Sequence, residues 1–379
     1  MTPGGRISAA IAVLDQVLAG EAAERALTNW GRASRFAGSA DRAAVRDLAF
    51  GAIRCKRSFA ALGGAETGRG LMIGSLRAAG QEPEAAFDGV GHAPGPIGPA
   101  DPPGWPPIGL EALDCPDWLG PQLQASLGAD FAAVMRLLQR RAPVFLRVNL
   151  RRGSVQQAIE RLASDAITAV PHPLAATALE VTANARKVQT SDAYGGGFVE
   201  LQDAGSQAVL EALPLAGSVL DYCAGGGGKA LALAACGAEV WAHDLEPRRM
   251  RDIPVRAKRA GVTIRVLEQV ERRFDLVLLD VPCSGSGSWR RAPDGKWALT
   301  QARLEELVRT QAQILDLASG YVAPQGHLAY VTCSVLDAEN SQQISAFLGR
   351  NRAWRLVSER RQTPLDGGDG FFATLLTRY

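Results

Sequence analysis

Phe274-Asp275-Leu276-Val277-Leu278-Leu279-Asp280-Val281-Pro282-Cys283-Ser284-Gly285-Ser286-Gly287 is a short apolar run that stops at Asp-Val-Pro and dissolves into serines and glycines. An apolar run of this length bounded by turn residues reads as a buried parallel strand. Open α/β sheets carry their chemistry just beyond the carboxyl ends of their strands, so Asp280 and Cys283 are expected at the lip of a cleft. Downstream, His327-Leu328-Ala329-Tyr330-Val331-Thr332-Cys333-Ser334 is a second such run, and it too ends in a cysteine. Packing alone does not require two strands of one sheet to deliver a thiol to the same edge.

Around these runs, after Gly195-Gly196-Gly197-Phe198, strands and helices alternate. Candidate strands are 219–222, 240–243, 264–267, 276–279, 328–331, 355–357 and 372–376, with Leu304 to Val322 the clearest helix. Such alternation predicts a seven-stranded, mainly parallel, doubly wound sheet. Its first strand runs into Asp221-Tyr222-Cys223-Ala224-Gly225-Gly226-Gly227-Gly228-Lys229, a glycine loop that lets backbone approach a ligand closely. Asp244 ends the next strand, where an acidic side chain can bind ribose hydroxyls. A phosphate-binding P-loop is disfavoured, because Cys223 stands at its first glycine and Ala230 at its metal-binding hydroxyl. A dinucleotide loop is disfavoured because Ala230 or Leu231, depending on register, replaces its last glycine. Asp221 favours a ligand with a positive amino group over a pyrophosphate, which points to S-adenosylmethionine.

Towards the N-terminus, apolar residues at helical spacing occupy 6–28, then Val45, Leu48, Ala49 and Ile53 after a start at Ser39, then 71–87. The prolines and glycines of 89–109 permit neither helix nor central strand and read as a linker, with Trp105 available to dock it. A helical stretch from Pro116 to about Arg141 precedes Val144-Phe145-Leu146-Arg147-Val148-Asn149, a strand with Arg147 expected outward. The chain is thus expected to comprise a helical domain (1–88), a linker (89–109), a small α+β module (110–205) and an α/β domain (206–379).

With 47% apolar and 21% charged residues among 379, the composition is that of a soluble globular protein with a sizeable core. No run approaches the roughly 18 apolar residues that read as a membrane span. The first residues lack the apolar core of a signal peptide, so a cytoplasmic location is expected. Cys55, Cys115, Cys223, Cys236, Cys283 and Cys333 form no Cys-x-x-Cys pair and are expected as thiols, with Cys55 and Cys236 as buried small apolar groups. His92, His172, His243 and His327 are dispersed, which argues against a zinc site. Net charge is only +2, but Arg25, Arg32, Arg35, Arg42, Arg46, Arg54, Lys56 and Arg57 cluster locally. Such a field can bind phosphate or be a solvated helical face. Only Lys56, Lys187, Lys229, Lys258 and Lys296 are lysines, which singles out Lys229 in its glycine loop.

Taken together, these motifs resemble the RsmB/Nop/Sun family of RNA cytosine-5 methyltransferases. The resemblance rests on 142–149, on Phe198 to Gln207, on the loop at 221–229 and on Asp280 to Gly287. It extends to Arg290-Arg291-Ala292-Pro293-Asp294-Gly295-Lys296-Trp297, Thr332-Cys333-Ser334 and Gly370-Phe371-Phe372. It implies a Rossmann-like class I methyltransferase domain, preceded by an α+β RNA-binding module and an all-helical NusB-like domain. It also implies a monomer acting on RNA, ribosomal RNA before transfer RNA. Carbon 5 of cytosine is too weakly nucleophilic to take a methyl group until a thiolate adds to carbon 6; by resemblance that thiolate is Cys333, with Cys283 serving release. Asp280 then binds the cytosine ring nitrogen and amino group, and Lys229 binds the base carbonyl or lowers a thiol pKa. Cofactor contacts are expected from Asp221, Cys223, Ala224, Gly225, Gly226, Gly227, Gly228, Lys229, Asp244, Glu268 and Asp280. RNA contacts are expected from Arg42, Arg46, Arg54, Arg57, Arg147, Arg290 and Arg291, with no metal. The chain departs from the family where Gly225-Gly226 replace Ala-Pro, Ala230 replaces Thr and Arg256 replaces Asn. Glu268 is the only acidic residue near the position of an adenine-reading aspartate. Two other readings stay open: a DNA cytosine-5 methyltransferase using the Pro-Cys thiol as nucleophile, and a non-catalytic RNA-binding assembly protein.

Overall fold

The computed structural model describes residues 1–214 and 217–379, which divide into two units: 1–141 with 289–299, and 142–288 with 300–379. In the first unit, helices Pro3–Leu18, Ala23–Ala33, Ser39–Arg54, Lys56–Gly63 and Gly68–Ala78 follow one another. Thr2 caps the first by accepting the Gly5 amide, with Pro3 in its first turn, where a missing amide costs nothing. The single helix expected over 6–28 is two, because Gly20 enters the left-handed region (φ +101°) and closes the first. Leu14, Val45, Ala49, Leu71, Met72, Ile73 and Phe87 form the core. Truncating a fully buried leucine such as Leu71 to alanine costs about 2–5 kcal/mol.

The proline-rich stretch carries no helix or strand between 86 and 108; Arg69 pins it, as does the Trp105 amide, which donates to the Ala61 carbonyl (2.9 Å). The Arg69 guanidinium donates to Asp101 (2.6 Å) and to the carbonyls of Gly95 and Pro96, while Trp105 stays half exposed. Helices Gly120–Leu127 and Phe131–Leu138 flank a 3₁₀ turn over 128–130, so the single helix expected from 116 to 141 is also broken. These helices belong to the first unit, whereas the sequence groups them with the strands that follow. Segment 289–299 joins the same unit through helix Pro293–Ala298. Trp297 Nε1 donates to the Ile53 carbonyl (2.6 Å) and Lys296 Nζ to that of Arg54 (3.1 Å), satisfying acceptors that a helix end leaves open.

In the second unit, β1 (Val144–Val148), β2 (Thr168–Pro171), β3 (Ala178–Ala183) and β4 (Val199–Leu201) form an antiparallel sheet in the order β2-β3-β1-β4. Helix Val155–Ser164 begins in a reciprocal Ser154–Gln157 capping box. Arg147, expected outward, is buried at 6% exposure. It donates to Gln202 Oε1 (2.5 Å) and to the Gly228 carbonyl (3.0 Å) at the start of the helix after the glycine loop.

The larger sheet contains β5 (Ser218–Asp221), β6 (Glu239–Ala242), β7 (Ile264–Val266), β8 (Phe274–Asp280), β9 (Val322–Thr332), β10 (Trp354–Gln362) and β11 (Phe371–Arg378). Its order is β10-β11-β9-β8-β5-β6-β7. Strands β5 to β9 are parallel, and β11 runs against β9 and β10. Apolar cores cover both faces, one around Val219, Leu276 and Leu278, the other around Leu220, Val277 and Leu279. That is why β8 is apolar at successive positions instead of alternating. The long helix covers Gln301–Ala318, beginning and ending earlier than expected, and Val322 already begins β9. A register shift between Phe274 and Leu276 of β8 absorbs Pro324, which has no amide to donate. Strand order reverses between β5 and β8, which puts a crevice beyond their carboxyl ends.

Candidate active site

The glycine loop leaves β5 at Asp221 and is tied to the end of β6. The amide of Ala224 donates to the His243 carbonyl and that of His243 to the Asp221 carbonyl, both at 2.9 Å. Gly225 and Gly227 take left-handed φ of +51° and +78°, and a Cβ on Gly227 would lie 2.7 Å from Ile253 Cγ1. Asp221 is 1% exposed, and among the described residues neither carboxylate oxygen meets a donor in good hydrogen-bond geometry, the Ala230 amide being near enough only to favour its charge weakly. Burial, reinforced by nearby Asp280 and opposed by Lys229, pushes its pKa up to about 7. A buried carboxylate in this state favours a cationic ligand. Asp244 receives the amides of Gly225 (2.8 Å) and Glu246 (3.0 Å), with Arg249 3.3 Å away. Cys223 is partly exposed, Ala224 is buried, and Glu268 is exposed just past β7.

At the end of β8, Asp280 Oδ2 accepts from Lys229 Nζ at 2.6 Å. Burial works against the lysine's charge, but Asp280 more than offsets it and holds the pKa above its usual value. The cysteines that end the two apolar runs meet: Cys283 Sγ and Cys333 Sγ are 3.4 Å apart. Their protons are unequal. The hydrogen bond from Cys283 lowers the Cys333 pKa against the effect of burial, with further help from Lys229 and Ser288. The same hydrogen bond, then burial, the Cys333 charge and Glu339, raises Cys283 well above an ordinary thiol. The Val281 amide donates to Val331 (3.1 Å) and the Gly287 amide to Cys333 (2.9 Å), which lays the Pro-Cys-Ser turn along the end of β9.

The structure brings together Asp221, the loop 223–228, Lys229, Asp244, Asp280, Cys283 and Cys333 on one edge of the sheet. Three expected RNA contacts are corrected. Arg54, Arg147 and Arg290 are 7%, 6% and 4% exposed, and Arg54 Nε donates to the Arg290 carbonyl (2.8 Å). Guanidiniums buried to this degree are not presented to phosphate. Arg42, Arg46 and Arg291 are exposed, and Arg57 is half-buried in an ion pair with Asp117 (2.7 Å). Cys236, expected as a buried apolar group, is exposed. Sequence reasoning missed Glu339, which is fully buried beneath the two cysteine turns. Its only signal is a Glu-Asn pair at a helix start, and that reads as ordinary capping. No described helix is long and apolar enough to cross a membrane.

Residues 211–375 match the family model for 16S rRNA methyltransferase RsmB/F, and residues 115–189 match the RsmF/B-like ferredoxin-like domain. The latter match begins among helices that cluster with the first unit. The ribosomal RNA small subunit methyltransferase B of Klebsiella pneumoniae is 34% identical over 284 residues, covering 69% of this chain and 66% of that protein. Its counterpart from Cronobacter sakazakii is 35% identical over the same shares. This chain therefore spans just under two thirds of the length of these relatives. The crystal structure of PH0851 has a TM-score of 0.74 at 21% identity, covering 100% of this chain and 99% of that one. A methyltransferase homolog protein from Pyrococcus horikoshii reaches 0.62 at 23% identity, covering 71% and 97%. At these identities the two structures establish the fold. With two matching domain models and relatives above 30% identity, the chain belongs to the RsmB/F family.

Proposed function

We propose that this chain is an S-adenosylmethionine-dependent methyltransferase that modifies carbon 5 of a cytosine in RNA, with ribosomal RNA as substrate. The observation that carries this reading is the pair of touching thiols with opposite proton preferences, beside the Lys229–Asp280 pair. The loop fits the cofactor: Asp221 is a buried carboxylate whose oxygens meet no well-aligned donor among the described residues, suited to the amino group. The turn at Gly225–Gly227 admits close backbone approach, and Asp244 suits the ribose hydroxyls. When bound, the cofactor supplies an electrophilic methyl group on a sulfonium.

The protein's residues then divide the work. Cys333 adds as thiolate to carbon 6, and the electron pair of the 5,6 double bond makes carbon 5 nucleophilic. Asp280, held by Lys229, binds the ring nitrogen and amino group of the base, which requires one proton shared between them. After methylation the carbon-5 proton passes to Cys283, whose own proton has first gone to solvent; the freed electron pair restores the 5,6 double bond, and the bond from carbon 6 to Cys333 breaks with its electrons returning to the Cys333 sulfur. Cys283 serves this release.

The test uses the full chain with isotopically labelled S-adenosylmethionine and matched RNA and DNA transcripts. The parent is expected to form 5-methylcytosine in RNA. Cys333→Ala is expected to abolish turnover and any covalent protein–RNA species. Cys283→Ala is expected to attack and methylate yet stall, accumulating an adduct that survives denaturation. An adduct that persists in Cys333→Ala and vanishes in Cys283→Ala reverses the two roles. A parent that neither binds the cofactor nor methylates overturns the reading.

A further inference from the structure

Beneath the two cysteine turns lies a carboxylate that the proposed chemistry does not use. Glu339 stands in a 3₁₀ turn following β9 and is 0% exposed. Its Oε1 accepts the Ser284 amide (2.8 Å) and Gln311 Nε2 (3.0 Å). Its Oε2 accepts the hydroxyls of Ser284 and Ser334, both at 2.5 Å. Ser284 and Ser334 are the residues that immediately follow Cys283 and Cys333, so one carboxylate is bonded to both turns at once. Neighbouring groups complete the clamp. Asn340 accepts from the Thr332 hydroxyl (2.6 Å) and donates to the Ser334 carbonyl (2.9 Å). Gln311 also donates to the Pro282 carbonyl (2.9 Å), and the Tyr330 hydroxyl to the Glu339 carbonyl (2.6 Å).

We propose that Glu339 is a positioning residue that fixes the two cysteine turns against each other and selects Cys333 as the thiol that surrenders its proton. This deepens, and rests on, the methyltransferase reading. The geometric half of the argument is the shared carboxylate: four donors from two strand ends and a helix converge on a group with acceptors only. Serine rotamers and turn backbones that answer to one anion cannot drift apart independently, so the 3.4 Å sulfur separation is held. The electrostatic half is the asymmetry of charge around the pair. At Cys333 the Cys283 S–H, with the Lys229 cation and the Ser288 hydroxyl, outweighs burial and the nearby Asp280 carboxylate; Cys283 has the Glu339 carboxylate on its side. The hydrogen bond to Cys333, burial and the Cys333 charge disfavour an anion at Cys283, and the Glu339 carboxylate adds to them, so Cys283 keeps its proton and donates it to Cys333.

The test reads each thiol directly and needs neither RNA nor methyl transfer. Iodoacetamide alkylation of the full chain is followed from pH 5 to 10, with peptide mass spectrometry resolving Cys283 from Cys333. In the parent, Cys333 is expected to react first and at lower pH. Glu339→Gln keeps the size and removes the charge; the Cys333-to-Cys283 rate ratio is expected to fall roughly tenfold. The pH of half-maximal Cys333 reaction is expected to rise, with S-adenosylmethionine affinity unchanged. Glu339→Asp restores the charge and is expected to recover part of the ratio. Should Glu339→Gln fail to fold, Ser284→Ala removes one donor at a partly exposed position, and a smaller fall in the same ratio is expected. An unchanged ratio in a folded Glu339→Gln, or in Ser284→Ala where that variant decides, overturns the proposal. Loss of the methyltransferase reading would show separately, as absent methylation by a parent whose thiols still differ.

Discussion

At the scale of single residues, Asp221 sets function against stability. Its folded pKa of about 7 lies far above the unfolded value near 4. Between those two pH values the folded chain holds a proton that the unfolded chain has lost, so stability falls as pH rises through the window and is flat above it. The loss amounts to at most about 4 kcal/mol. Asp221→Asn removes the ionisation and keeps the shape. Thermal melts are expected to show variant and parent alike near pH 4, with the variant gaining steadily to pH 8. Cofactor affinity measured by titration is expected to fall more than about tenfold, because the partner of a cationic amino group is gone. Equal melting at all pH values would mean that Asp221 ionises without cost. Asp221, Asp280 and both cysteines were legible in the sequence because strand ends followed by turn residues mark a sheet edge. Glu339 was not, since its partners are a backbone amide, two hydroxyls and an amide side chain drawn from three elements.

At the scale of elements, all seven strands of the larger sheet had a counterpart among the expected ones, though β10, largely polar over Trp354–Gln362, was legible only at 355–357. What escaped was the beginning of β9, where Pro324 and Gly326 read as loop yet lie within the strand at a register shift. The glycine loop shows how little freedom an element can have. Gly227 combines φ of +78° with an approach to Ile253 that leaves no room for a Cβ. Gly227→Ala is expected to destabilise the chain by about 1–3 kcal/mol from backbone strain and overpacking and to weaken cofactor binding. Adding Ile253→Val opens space without altering φ, so only the packing part of the stability loss is expected to return. Full recovery would assign the whole effect to Ile253.

At the scale of the whole molecule, the contacts of segment 289–299 within the first unit left no trace in the sequence. Its donors, Lys296 and Trp297, meet backbone carbonyls of Ile53 and Arg54, and a carbonyl acceptor has no sequence signature. This bears on which arginines can serve RNA. A net charge of +2 gives no general attraction, so affinity must come from local clusters whose side chains reach solvent. Arg25, Arg32 and Arg35 are exposed; Arg54 is buried, its pKa lowered chiefly by burial. Converting Arg25, Arg32 and Arg35 together to Gln is expected to weaken RNA binding. It should also flatten the dependence of log affinity on log salt by about 0.7 for every single-strand phosphate no longer neutralised, with the melting temperature unchanged. Arg54→Gln is expected to do the reverse: the Arg290 carbonyl is left without its buried donor, at a stability cost of about 1–3 kcal/mol, while the salt slope stays that of the parent. Filter-binding across a salt series, paired with thermal melts, separates the two classes. A salt slope that moves with Arg54→Gln and not with the exposed triple variant would exclude the helical face from RNA binding.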